Sequence, residues 1–127
     1  MKNIDILAIA NAYTVQKEKG DGLRLPASVA WKRRLNFDKL FKAKVLIDEA
    51  LKEVGQRYSD DEHSEAAEDG NRKVKPEYMQ EFVTAQGEIL TQDTPVDIQK
   101  VPIDAIGDVD LTDADMDTLA FMIEEGD

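Results

Sequence analysis

The chain has 127 residues, which is the size of one domain, and we predict a single domain over residues 1–127. It contains no cysteine, which excludes disulfides and thiolate metal sites. Its net charge is −11, and a chain this acidic repels the phosphates of nucleic acid, so we expect no direct nucleic-acid binding.

Charge is divided unevenly along the chain. Residues 1–58 hold 12 Lys and Arg against 7 Asp and Glu, a net charge of +5. Residues 59–127 hold 4 against 20, a net charge of −16. Two interpretations stay open: the basic half faces the acidic half within the fold, or the halves attract outside partners, which for the acidic half means a basic surface.

The N-terminal segment predicts a helix from a capping Asn3 to about Lys19. Its first half is apolar nearly all round, so we expect it to be wedged between other elements. The glycine-containing residues 20–22 then end the helix. Asp5 interrupts the apolar patch, and no apolar run approaches the ~18 residues of a membrane span, so we expect a soluble, cytoplasmic protein.

The longest helical pattern begins at Pro26, which suits a first helical turn because its missing N–H would be unbonded there. The pattern ends near Tyr58. Helices average about a dozen residues, so we predict a break or bend at Asn36 and Phe37. Beyond the bend, apolar and small residues recur at steps of three and four and must be covered. They are Leu40, Ala43, Ile47, Ala50, Leu51, Val54 and Tyr58.

Basic and aromatic residues share the first part of this helix. The basic residues spread around the helix instead of lining one edge, which disfavours a nucleic-acid groove; they are residues 32–34, Lys39, Lys42 and Lys44. We interpret them as a solvated or internally paired face. The neighbouring Trp31, Phe37 and Phe41 fit core packing better than base stacking.

An acidic segment follows the long helix. Residues 59–70 hold six carboxylates and no large apolar side chain, so we predict a mobile acidic loop over residues 59–72. The single histidine, His63, lies in this loop, and we interpret it as an exposed side chain because a catalytic base needs a rigid setting. We predict no catalytic residue and no metal site.

Pro76 begins a further helical pattern that contains Tyr78, Phe82 and Leu90. Two consecutive helices joined by a loop most simply pack antiparallel, so we expect these three residues to cover the long helix. Gly87 weakens this helix by roughly 1 kcal/mol relative to Ala and indicates a close helix approach. The predicted fold class is mainly α, with an antiparallel helical hairpin, short N- and C-terminal helices and a small β element.

Residues 96–103 predict that β element, because Val96, Ile98 and Val101 follow a strand-like pattern. A single strand must find partners for its backbone N–H and C=O groups. The candidates are residues 72–75, residues 23–25, a second copy of the chain or another protein. An unpaired strand edge is the most interaction-prone feature that this sequence predicts.

The C-terminal segment allows two interpretations. Four acidic residues occupy ligand positions of a calcium loop, but Thr118 stands where the turn of that loop requires glycine. We favour a helix in which Thr112 and Asp115 form a capping box. The four acidic residues are Asp113, Asp115, Asp117 and Glu124, and the buried stripe of the helix is Leu119, Met122 and Ile123.

The order of these segments resembles a small, functionally uncharacterised family encoded by tailed phages and prophages of Gram-positive bacteria. The resemblance implies an accessory or morphogenesis-associated protein inside the infected or lysogenic cell, and it carries no catalytic residues. The matching residues are Ile9, Ala10, Asn11 and Ala12; Leu25, Pro26 and Ala27; Arg57 and Tyr58; Val74, Lys75, Pro76 and Glu77; Phe82; Val96, Asp97 and Ile98; Lys100, Val101, Pro102 and Ile103; and residues 119–125.

Two functions fit these features. The first is a non-enzymatic protein–protein interaction or accessory protein associated with assembly, with no cofactor and a phage or host protein as partner; self-association stays open. The alternative is an acidic anti-defence inhibitor that imitates a nucleic-acid backbone on a host enzyme. We expect no membrane partner. The predicted partner contacts are Val96, Ile98, Lys100, Asp108, Asp110 and Asp113.

Overall fold

A computed structural model of the chain describes residues 1–20, 23–107 and 109–124. The predicted mainly α fold with a small β component is confirmed. Within these residues, no helix is both long enough and apolar enough to cross a bilayer. The elements are α1 (Asn3–Glu18), α2 (Ala27–Arg57), β1 (Ser64–Ala66), β2 (Arg72–Val74), α3 (Pro76–Leu90) and α4 (Asp113–Asp117), with 3-10 turns at Ile103–Ile106 and Ala120–Met122.

The long helix α2 is unbroken, so a break at Asn36 and Phe37 is excluded. The buried stripe starts earlier than its apolar residues indicate: Val29, Arg33 and Phe37 precede Leu40 at steps of three and four. One continuous buried face runs along the helix across a stretch where polar residues interrupt the apolar pattern. Trp31 lies on the opposite side and is 60% exposed, so its predicted place in the core is also wrong.

Two apolar clusters lie along α2. The first joins α1 to the middle of α2, and the second joins the start of α2 to the C-terminal segment. Partly buried Ile98 and Phe121 pack against both clusters and connect them. The buried members are Ile6, Phe37, Leu40, Ala43 and Ile47 in the first cluster, and Val29, Val101, Ile106, Leu119 and Met122 in the second.

Helix α3 packs antiparallel to α2, as the helical hairpin predicts. Phe82 contacts Tyr58 just beyond the end of α2, with ring centroids 5.5 Å apart, while Ile89 packs on the first cluster. No residue of α3 is itself buried, so α1 supplies the buried cover through Ile6. Asn3 is the first helical residue and not the cap; its side-chain amide donates to the Ile89 carbonyl at 2.7 Å and ties α1 to α3.

The predicted acidic loop contains β1 and ends at Arg72, the first residue of β2; the two strands are antiparallel and pair Ser64 with Val74 and Ala66 with Arg72. Side-chain hydrogen bonds, and not an apolar core, stabilise this hairpin. The Arg72 guanidinium donates to the Ser64 hydroxyl at 2.8 Å and to the Asp61 carboxylate at 2.9 Å. Mobility of residues 59–72 stays a prediction.

The β element does not lie at residues 96–103, where the structure has an extended segment with one parallel bridge, Val101 to Ile123. Side chains of α2 form hydrogen bonds with the backbone N–H and C=O groups of this segment. In a sheet, a neighbouring strand would form those bonds. Asn36 donates to the Gln99 carbonyl at 2.9 Å and accepts from the Gln99 N–H at 2.7 Å. The Lys39 ammonium donates to the Asp97 carbonyl at 2.7 Å. These bonds replace the free strand edge predicted for this segment.

The capping box at the start of α4 is confirmed: the Thr112 hydroxyl accepts from the Asp115 N–H, and the Asp115 carboxylate accepts from the Thr112 N–H. The helix is only one turn long and passes into a 3-10 turn. Leu119 and Met122 of the predicted stripe are fully buried. The chain's C-terminal part therefore packs as helical turns over the second cluster.

Candidate functional site

Helix α1 exposes an apolar face. Ile4 is 50% exposed and Val15 is 47% exposed, and Ala8 between them is also exposed. Ile6 and Ala10 on the opposite face are fully buried. Helix α1 packs against α2, α3 and α4, as the apolar first half predicts, but the described elements leave the side that carries Ile4, Ala8 and Val15 uncovered.

This exposed face runs into an open groove of about 440 Å³ between α1 and α4. Ala12, Val15 and Ala114 give it apolar walls, while Lys19 and Asp117 place opposite charges along its rim. Concave sites with mostly apolar walls and a few polar groups are typical of binding sites. The full lining is Asn11, Ala12, Val15, Gln16, Lys19, Gly20, Thr112, Ala114, Asp115 and Asp117.

A buried polar network lies beneath the groove and joins α1, α2 and the C-terminal segment. The Gln16 amide donates to the Asp115 carboxylate at 2.6 Å, and its carbonyl accepts from the Thr118 hydroxyl at 2.8 Å. The Arg33 guanidinium donates to Gln16 at 3.1 Å and to Thr118 at 2.9 Å. Buried hydrogen-bond networks hold side chains in fixed positions, so the floor of the groove is ordered before a partner binds.

Arg33 also lies over the rings of Tyr13 and Phe37, at 5.1 and 5.6 Å from their centroids. Only 7% of this residue is exposed. Of the basic residues 32–34, Arg33 is therefore bonded within the chain and not solvated, and aromatic faces and polar partners compensate its burial, while Arg34 is exposed. The helical step from Val29 to Arg33 to Phe37 is the signal that places it inward.

His63 is half-buried at the end of α2, so its predicted full exposure is wrong. Its ring meets Tyr58 and Tyr78 edge-on, with centroids 5.4 and 4.6 Å away, and its Nδ1 lies 2.6 Å from an Asp60 oxygen. The hydrogen bond from His63 holds the pKa of Asp60 below its ordinary value. Asp60, Glu62 and His63 also place ligand atoms within 4.8 Å of one another, but both acids are exposed.

A second groove, of about 530 Å³, runs along α3 beside Tyr58. Glu77, Glu81 and Glu88 line it together with Gln80, Thr84 and Ala85. Partial burial raises the pKa of Tyr78, and the carboxylates of Glu62, Glu77, Glu81 and Asp60 add to that rise. The surface around Tyr78 is therefore strongly negative.

The predicted partner-contact residues do not form one surface. Val96 and Ile98 turn their side chains onto the first apolar cluster. Lys100, Asp110 and Asp113 are exposed, and Asp113 is the first residue of α4. Asp108 lies outside the described residues. The exposed face of α1 forms a more continuous surface than the predicted strand edge does. The sequence patterns did not identify this face as a binding surface.

The buried carboxylate of Asp115 accepts hydrogen bonds from the Gln16 amide and from the Thr112 N–H at the N-terminus of α4. The glutamates along α3 face solvent. No family model, curated protein or solved structure matches the chain.

Proposed function

We propose that this chain is a non-enzymatic protein–protein interaction module, and that its docking surface is the exposed apolar face of α1 together with the α1/α4 groove. The observation that carries the proposal is the pair of half-exposed residues Ile4 and Val15 on a helix whose other face is fully buried. Burying apolar surface contributes about 25 cal/mol per Å² removed from water, so a covered α1 face is favoured.

The groove supports this function. The network of Gln16, Arg33, Asp115 and Thr118 already orders its floor, so a partner would not have to organise it. Preorganisation raises affinity because less conformational entropy is lost on binding. An amphipathic helix of a partner fits such a surface, with apolar residues at helical spacing along the groove.

The resemblance to a phage and prophage family supplies the biological setting of the proposal. We place the protein in the cytoplasm of an infected or lysogenic bacterium, as an accessory protein that contacts a phage or host protein during assembly. No cofactor and no reaction are part of this function.

Site-specific photo-crosslinking tests the docking surface. A photoreactive amino acid at position 15 is expected to give a discrete adduct in the native host, identified by mass spectrometry. The matched control is position 45, because Val45 is 56% exposed but lies on α2. No adduct from position 15, or equal adducts from both positions, would contradict the proposal.

A second function, binding of a basic partner surface, is favoured by the acidic groove along α3. Glu77, Glu81 and Glu88 share this groove with Tyr58, so carboxylates and an aromatic ring together face an approaching cation. An inhibitor that imitates a nucleic-acid backbone would use such a surface.

Salt-dependent binding of a fluorescent Lys/Arg-rich peptide tests this second function. The triple variant Glu77→Gln, Glu81→Gln, Glu88→Gln is expected to lose most of the affinity and most of its salt dependence. The control removes three exposed carboxylates elsewhere, through Glu49→Gln, Glu53→Gln and Glu68→Gln. Equal losses in both triple variants would show a non-specific charge effect and reject the groove.

A further inference from the structure

We propose that the occupant of the α1 face is a second copy of this chain, packed as an antiparallel α1–α1 pair about a two-fold axis near Ala12. This inference rests on the proposed docking surface and names its partner. A two-fold pair uses the same patch on both copies, so the patch must be complementary to itself. Three features of α1 meet that condition.

The first feature is the spacing of small and apolar residues. Ile4, Ala8, Asn11 and Val15 recur at steps of four, three and four, which draws one stripe along the exposed side of α1. Short side chains at positions 8 and 12 let two helix backbones approach closely. In an antiparallel pair centred near Ala12, Ala8 of one copy meets Val15 of the other.

The second feature is the position of two exposed charges. Asp5 and Lys19 are 14 residues apart, which is nearly four helical turns or about 21 Å, so they lie on the same flank of the stripe. An antiparallel two-fold axis midway between them brings Asp5 of each copy beside Lys19 of the other. The two-fold symmetry therefore forms two Asp5–Lys19 ion pairs in each dimer. These two ion pairs fix the register of one α1 helix against the other.

The third feature is the local charge balance. The whole chain carries −11, so two copies repel each other over most of their surface. Residues 2–19 carry three lysines against Asp5 and Glu18, so the α1 segment is close to neutral, and Asp117 of α4 borders the groove beside it. A second copy can approach here without the repulsion that it meets along α3, where three glutamates share one groove.

Charge reversal tests the register. Sedimentation equilibrium at protein concentrations of about 10 to 500 μM, the range in which a small interface is populated, is expected to show a monomer–dimer equilibrium. Asp5→Lys and Lys19→Asp are each expected to weaken dimerisation by about tenfold, and the double variant is expected to restore it. Lys52→Asp on α2 is the control and leaves dimerisation unchanged, because it changes the same charge away from α1.

A chain that stays monomeric at the highest concentration overturns the inference, and so does a double variant that fails to recover. Circular dichroism of each variant checks that its helices are intact. If position 15 photo-crosslinks to a different protein while the chain stays monomeric, the docking surface survives and the second copy is rejected as its occupant. The two proposals therefore fail separately.

Disulfide trapping tests the two-fold axis. The natural chain has no cysteine, so a single introduced thiol reports one position. Ala12→Cys places two thiols near the axis and is expected to form a covalent dimer rapidly under mild oxidation. Val45→Cys is the control for random collision. Equal rates for the two variants would contradict the antiparallel arrangement.

Discussion

At the scale of single residues, buried polar side chains fix how distant segments of the chain pack together. Asn36 is fully buried and bonds both backbone groups of Gln99, and Arg33 is buried against Gln16 and Thr118. The sequence alone could not place them, because a polar residue within an apolar stripe indicates burial only when its partner is known. For Asn36 that partner is 63 positions away.

Asn36→Ala is expected to lower the free energy of unfolding by about 2 to 3 kcal/mol, because it leaves the N–H and C=O of Gln99 without their partner. Urea denaturation monitored by circular dichroism measures the change. The control is Asn11→Ala, an exposed asparagine on α1, for which a change within about 0.5 kcal/mol is expected. Equal effects at the two positions would refute the role given to Asn36.

The Asp60–His63 hydrogen bond predicts a loss of stability in acid. Folding lowers the pKa of Asp60, so its contribution is present above the carboxyl's unfolded pKa of about 4 and is lost as the pH falls through the lower folded pKa. Asp60→Asn is therefore expected to lower the melting temperature at pH 6, with a difference from wild type that shrinks toward pH 3. Asp110→Asn is the exposed control. A difference that is constant with pH would contradict this linkage.

At the scale of elements, regular apolar spacing predicts the helices, and local side-chain bonding decides the rest. The stripe after Leu40 and the segment after Pro76 predict α2, α3 and their antiparallel packing. The hairpin of β1 and β2 has too few apolar residues to be predicted, since Arg72 and Ser64 hold it by hydrogen bonds. The extended segment at 96–103 failed as a strand because Asn36 and Lys39 bond its backbone.

Two glycines of these elements are expected to respond in opposite directions to alanine. Gly70 turns the β1–β2 hairpin with a φ of +85°, so Gly70→Ala is expected to cost about 1 to 2 kcal/mol. Gly87 lies inside α3 with nothing within 4 Å of an added Cβ, so the predicted close helix approach is absent there. Gly87→Ala is expected to stabilise the protein by about 0.5 to 1 kcal/mol. Urea denaturation distinguishes the signs, and a shared sign would contradict this prediction.

At the scale of the whole molecule, the fold leaves the charge asymmetry largely in place. Among the ion pairs of the described residues, those that join the basic and acidic halves are Lys39 with Asp97 and the N-terminus with Asp93, both at 3.9 Å. The other pairs lie within one half, such as Lys44 with Asp48. Among the described residues, these two contacts between the halves offset little of the net charge of −16 on residues 59–127.

Added salt is expected to stabilise the monomer. With a net charge of −11 and few pairs between the halves, repulsion among carboxylates opposes folding, and salt screens it. The urea midpoint is expected to rise as NaCl increases from about 0.02 to 0.5 M, where the Debye length falls to a few ångströms. A midpoint that falls over this range would mean that favourable charge pairs dominate.

The central claim is that the exposed face of α1 is covered by a protein in the cell. Because the chain has no cysteine, the maleimide labelling rate of Ala8→Cys reports coverage at that face, and Val45→Cys reports the general access of reagent. Relative to dilute purified protein, labelling in the native host is expected to slow by about fivefold or more for Ala8→Cys and to change little for Val45→Cys. Equal slowing at both positions would contradict the claim.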